Sequence, residues 1–187
     1  GQTFAVFLEQ RMFEPLRMID TGFFVPADKA HRLARQYNQA ATGGLTRTDT
    51  GQFLSKPEFF SGGGGLTSTA SDYMKFAQMH LNKGELDGVR ILSEDAIAIM
   101  RSNLLPEGID NIANIYPGNV FGVDFAVVSE SGAFNGVPEG THWWWGIAGS
   151  WFWIDPVQNI VFVGMIQNDN IFYSIQTHGT MRELLYN

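Results

Sequence analysis

Hydrolytic sites are built from serine, lysine, histidine and paired carboxylates, and here the spacing of those residues leaves most such sites unmade. The four lysines, Lys29, Lys56, Lys75 and Lys83, have Pro26, Phe53, Asp72 and His80 three positions earlier, so there is no S-x-x-K. No G-x-S-x-G elbow exists, and no tyrosine is followed by Asn two places on. The histidines, His31, His80, His142 and His178, do not pair at metal-ligand spacing, and there is no cysteine. His80 falls on the apolar face of a helix and reads as a satisfied core histidine. Ser174 and His178 stand four apart on a helix, but with no third group to orient them they read as a surface contact. Glu130 and Glu139 read as loop carboxylates, because nothing fixes the separation a glycosidase pair requires.

Two other stretches remain. Gly62 to Gly65 form a run of four glycines, without the lysine of a P-loop or the spacing of a dinucleotide fingerprint. Trp143, Trp144 and Trp145 precede Gly146, and Trp151 and Trp153 follow closely. On a strand, Trp143 and Trp145 point one way and Trp144 the other. Trp151 and Trp153 read as packing residues.

The elements that must position these residues follow from periodicity and caps. A short helix starts after Thr3 and ends before Pro15, and 14–23 reads as loop. Residues 31–39 read as either a helical turn or a strand, and Thr42 to Gln52 as loop. The clearest helix follows the glycine run. Thr69 caps it, Tyr73, Phe76, Ala77, His80 and Leu81 share a face, and Gly84 ends it. A turn at Asp87-Gly88 precedes a helix capped by Ser93, with Ile97 and Met100 facing the core. Phe121, Val123, Phe125 and Val127 alternate as one strand. Thr141 to Gly146 and Ser150 to Ile154 are two more, the latter stopped at Asp155-Pro156. Ile160 to Gln167 reads as a strand buried on both faces. A helix from about Tyr173 to Leu185 closes the chain. Strands joined by short turns are antiparallel, so the fold class is α+β, an antiparallel sheet with packed helices. Residues 1–118 are mainly helices and loops and 119–187 strands and the closing helix, all within one segment.

The chain has 187 residues, 44% of them hydrophobic and 17% charged, which suits a packed domain rather than disorder. A net charge of −7 with no basic cluster argues against a nucleic-acid partner. No apolar run approaches the length of a transmembrane segment. No metal or cofactor is expected.

Three stretches together resemble β-lactamase-like serine hydrolases: class C β-lactamases, family VIII carboxylesterases, D-aminopeptidases and penicillin-binding proteins. Residues 14–23, EPLRMIDTGF, resemble the segment EPLGM-x-x-T-x-F, with Arg17 where Gly is usual. Residues 62–73, GGGGLTSTASDY, resemble the GGGGL-x-ST-x-x-D turn and helix. Residues 144–156, WWGIAGSWFWIDP, resemble the WGG-x-x-G-x-x-F-x-(V/I)-DP hairpin of the esterase-like members. The order and spacing match along essentially the whole chain.

The resemblance implies a partial β-lactamase/transpeptidase-like fold and an acyl-serine mechanism on esters or amides, possibly β-lactams. Of the family's three motifs only the third is present, as Trp144-Trp145-Gly146. S-x-x-K and Y-x-N precede this region in the family, so the chain is expected to be the C-terminal part of such an enzyme, inactive alone. Trp144, Trp145 and Gly146 would line the substrate, and the backbone N–H of Ile147 would lie in the oxyanion region. Trp144 replaces a lysine that holds carboxylates in β-lactamases, which favours neutral substrates. The family's last strand pairs with the chain's N-terminal strand. Residues 160–167 are therefore expected to be covered by the missing N-terminal half or by a second copy. The alternative is a non-catalytic module binding carbohydrate or peptide on the Trp-rich hairpin.

Overall fold

The computed structural model describes residues 1–40, 43–109, 112, 116–130, 134 and 136–186. Thr42, the first residue of the stretch expected to be loop, lies outside them.

Helix α1, Phe4–Leu8, starts where the Thr3 hydroxyl accepts from Val6 N, and it runs into a π-helical turn, Glu9–Phe13. The loop that follows explains the family's usual glycine. Arg17 sits at φ 54°, a left-handed conformation that costs an L-residue about 1 kcal/mol. A 3₁₀ turn, Ala27–Arg32, leads into β1, Gln36–Gln39, which resolves the ambiguity over residues 31–39. β1 pairs antiparallel with β2, Leu45–Thr48. β2 lies inside the stretch expected to be loop; its first three residues are exposed, so no burial alternation marks it.

Helix α2, Ala70–Leu81, is capped by Thr69, whose hydroxyl accepts from Asp72 N at 3.2 Å. It ends at left-handed Lys83 and Gly84, and Gly84 N donates to Met79 O at 2.8 Å. The Asp72 carboxylate is buried and ties α2 to the 14–23 loop. It accepts from Asp20 N at 2.7 Å and Thr21 Oγ1 at 3.2 Å and pairs with Lys75 at 3.0 Å. The hairpin of β3, Glu85–Leu86, and β4, Val89–Arg90, turns on Asp87 and Gly88, both at positive φ. Ser93 caps α3, Glu94–Met100, which buries Ile97.

The main sheet has five antiparallel strands in sequence order: β5 Asn119–Phe121, β6 Ala126–Val128, β7 His142–Trp145, β8 Trp151–Asp155 and β9 Ile160–Gly164. The single strand expected over 121–127 is instead the β5–β6 hairpin. Asp124, at φ 63°, turns the chain, and Gly122 N bonds Phe125 O at 2.9 Å. The alternating residues therefore lie on either side of a bend.

α2 covers one face of the sheet, packing Tyr73, Phe76 and Ala77 on Phe152 and Ile154. α4, Ile171–Tyr186, covers the other, over Trp143, Trp151 and Trp153. Tyr186 OH donates to the buried Asp155 at 3.1 Å, anchoring the end of α4 to the end of β8. Gly164 leaves the space that Trp151 fills: a Cβ there would lie 2.3 Å from the indole. β9 is half-buried over most of its length, not buried on both faces, because it is an edge of the sheet.

Candidate functional site

The third-motif residues lie at the tip of the β7–β8 hairpin. Trp144 pairs with Phe152 and Trp145 with Trp151. Beyond them Gly146 N donates to Ser150 O at 2.7 Å and Gly149 N to Gly146 O at 2.8 Å, so Ile147 and Ala148 are the two central residues of a β-turn. Ile147 is 72% exposed, and its N–H has no acceptor among the described residues.

The turn is fastened from beneath. Asn168 N donates to Ala148 O at 2.8 Å, and His178 of α4 donates through Nε2 to Gly149 O at 3.1 Å. Gly149 has φ 97°, and a Cβ there would lie 2.7 Å from both Ser174 Oγ and Ile166. Ser174 and His178 are thus buried supports beneath the hairpin, not the surface contact expected from their spacing. They bond separate partners: Ser174 Oγ donates to Asn170 O at 3.2 Å. Burial holds the His178 pKa below its ordinary value, against the pull of the Gly149 carbonyl. The ring stays neutral and donates to that carbonyl.

The tryptophans divide by burial only partly as their alternation predicts, because Trp145, at the hairpin tip, is half-buried like Trp144. Trp143, Trp151 and Trp153 are at most 6% exposed and pack on the α4 side. Trp143 stacks on Phe134 at 4.5 Å and donates to Asn119 Oδ1 at 2.8 Å; Trp153 stacks on Phe162 at 4.2 Å. Trp144 and Trp145 are half-buried. Trp144 meets Phe121 edge-on at 5.1 Å and reaches the α2-side cluster.

His80 is in the core as expected, but it is not satisfied: neither ring nitrogen has a partner among the described residues. It lies between Phe76 and Phe125, with the His142 ring 6.1 Å away. Burial first, and the charge of Arg101 second, push His80 down to about 4 and His142 to about 3. Glu130 and Glu139 are exposed turn residues. No group of three or more His, Asp or Glu among the described residues is arranged to hold a metal ion. No helix among the described residues is long and apolar enough to cross a membrane.

One concavity was not read from the sequence. Phe23, Phe53, Phe59 and the end of the glycine run enclose about 280 Å³. Its residues come from three loops, and only their number of phenylalanines hinted at it.

The Beta-lactamase family profile matches residues 1–178. Protein Rv1367c of Mycobacterium tuberculosis is 33% identical over 170 residues, covering 86% of this chain and 42% of that protein. EstCE1, described as a hydrolase with promiscuous acyltransferase activity, superposes with a TM-score of 0.79 at 22% identity, over 98% of this chain and 50% of its own. A LovD6 mutant of simvastatin synthase from Aspergillus terreus gives 0.77 at 19%, over 98% and 51%. This chain thus spans about half the length of the proteins it matches, with mixed helices and antiparallel strands corresponding to the C-terminal part of the β-lactamase/transpeptidase-like fold. With the profile running through all three sequence stretches and the turn that carries Gly146, the chain belongs to the beta-lactamase family.

Proposed function

We infer that the β7–β8 hairpin is the oxyanion-side wall of an acyl-serine centre that cleaves or transfers the acyl group of small esters or amides. The S-x-x-K and Y-x-N residues are supplied by polypeptide outside these 187 residues. The observation that carries this reading is the Ile147 N–H, without an acceptor among the described residues, on a turn whose Gly146 and Gly149 amides and Ala148 and Gly149 carbonyls are bonded. The serine oxygen would attack the substrate carbonyl carbon and give up its proton to the lysine–tyrosine pair. The carbonyl oxygen becomes an oxyanion facing Ile147 N–H and the nucleophile's own N–H. Collapse expels the alcohol or amine, which takes that proton, and water or a second alcohol then removes the acyl group. A preorganised donor of this kind contributes about 3 kcal/mol to the transition state. Trp144 and Trp145 would present their open edges to substrate, and Gly146 keeps the strand backbone approachable. With no cation at position 144, neutral substrates fit better than anionic ones.

The outer edge of β9, which pairs with no strand among the described residues, supports a covering strand from the rest of such an enzyme or from a second copy. A sugar- or peptide-binding role for the hairpin is less favoured, since three of its five tryptophans are buried.

A fluorophosphonate probe applied to this chain and to a longer protein containing it tests the reading. Labelling of the longer protein alone is expected, and site-specific labelling of this chain alone overturns it. Ile147→Pro in the longer protein sharpens the test. Proline suits the first central position of a turn but has no N–H. Turnover should fall about 100- to 1,000-fold, while Ile147→Ala stays near the parent. Equal turnover in both variants would remove Ile147 from the oxyanion site.

A further inference from the structure

We propose that the cavity between α4 and the sheet, beside the Arg182 guanidinium, is a binding site for a small monovalent anion of the size of chloride.

A cation buried against a sheet demands a countercharge. Arg182 is 8% exposed. Its guanidinium lies over the Phe134 ring, with the central carbon 3.8 Å from the ring centre and 6.0 Å from that of Trp143. Those ring faces offset part of the charge, but they accept none of the N–H donors in the guanidinium plane. The buried Nε has no acceptor among the described residues. Nor is Arg182 a member of any ion pair among them. The cations that do pair, Lys29, Arg32, Lys75, Lys83 and Arg90, have side chains at least 32% exposed, where a partner is worth least. Burial brings the Arg182 pKa down to about 10, against the pull of Tyr116 and Glu183.

The cavity is lined by Tyr116, Phe134, Trp143, Ile175, His178 and Arg182, and it holds about 10 Å³, the room of one water-sized particle. Its walls brace one another. Phe134 stacks on Trp143, and Tyr116 meets Trp143 edge-on at 4.9 Å. Ile175, 37% exposed, stands at the opening. The lining therefore offers one full positive charge, a tyrosine hydroxyl and no carboxylate. A water there would satisfy a donor and leave the charge, whereas a chloride satisfies both. Sulfate and phosphate are too large for the space.

Arg182 and His178 are one turn apart on α4, and His178 holds the Gly149 carbonyl. The anion would thus sit behind the support of the hairpin turn. It needs no nucleophile, and it stands or falls apart from the acyl-transfer reading.

The test is a chloride titration of this chain and of a longer protein containing it, with sodium gluconate holding the ionic strength constant. Gluconate carries the same charge as chloride and does not fit the cavity. Melting temperature is read in both proteins, and the Arg182 Nε–H and Trp143 indole N–H resonances in the isotope-labelled chain. The expected result is saturable shifts of both resonances and a melting temperature that rises with chloride in both proteins. Arg182→Met removes the charge but keeps much of the volume, a replacement that buried ions tolerate, and it should fold and lose the chloride dependence. Arg182→Lys keeps the charge without the planar fork and should weaken chloride at least about tenfold. Shifts that never saturate, an equal rise in gluconate, a chloride dependence that survives in Arg182→Met or an affinity unchanged in Arg182→Lys would overturn the proposal. So would a response confined to the shorter chain, because a carboxylate of the additional polypeptide would then own the cavity.

Discussion

The tryptophan hairpin and the phenylalanine groove are both aromatic, and they use their rings in opposite ways. In the hairpin, Trp151 and Trp153 lie on a strand covered by helices, stacked on Phe162 and against His178. In the groove, rings of similar size come from irregular backbone; one is buried, one is half-buried and one stands in solvent. The exposed part of the hairpin tip is a backbone amide, that of Ile147, whereas in the groove it is side-chain surface. A ring on a regular strand with helices on both faces serves packing, and exposed ring surface has to be sought where the backbone turns.

The sharpest way to break this contrast is to truncate a ring in each region. Trp153→Ala should cost about 3–5 kcal/mol in urea denaturation, the range for deleting a large buried aromatic side chain. A loss below about 1 kcal/mol would mean that the hairpin is not core.

A smaller effect separates the regions by pH, because the hairpin carries His142 against His80 and the groove carries no titratable lining. In the unfolded chain both histidines titrate near 6.5, and in the folded chain near about 4 and 3. The unfolded state therefore binds more protons below pH 6.5. Stability is complete above that pH and falls as pH drops toward the folded values, by about 1.4 kcal/mol per pH unit for each histidine. Burial of His178 adds to the same trend. His142→Leu should flatten the dependence between pH 6.5 and 4.5 by about one such increment, read from denaturation midpoints at three pH values. Parallel curves for the two proteins would contradict it.

The smallest effect is expected at Phe59→Ala, whose stability in urea denaturation should stay within about 0.5 kcal/mol of the parent. A large destabilisation would show the ring to be structural and erase the difference between the two regions.

Legibility in the sequence followed the same division. Elements with strong caps or tight turns were readable: Thr69 and Ser93 start helices, and Asp87-Gly88 turns a hairpin. The tryptophan alternation also set the buried Trp143 apart from Trp144, though not the half-buried Trp145. Tertiary context hid the rest. Asp124 has the side chain of an ordinary strand-breaking residue, but alternation on either side of it suggested one strand. α4 carries apolar residues all round, so its sequence could not show that Ser174 and His178 face inward while Phe172 faces solvent. Exposed β2 had no burial pattern to reveal it. The groove left no more than its number of phenylalanines in the sequence, because Phe23, Phe53 and Phe59 converge only through folding. Arg17 was visible as a departure from the family pattern, but the left-handed backbone that makes glycine usual there was not.

The Asp72 carboxylate, which holds Asp20 N and Thr21 Oγ1 from the start of α2, has a consequence for how this half of the molecule opens. Breaking either bond strands a buried donor or acceptor, so the 14–23 loop and the first turn of α2 should be released in a single event. In hydrogen exchange the Asp20 amide should keep pace with the amides of that turn rather than with its exposed neighbour Ile19. A protease should find the loop cleavable only as often as the helix frays.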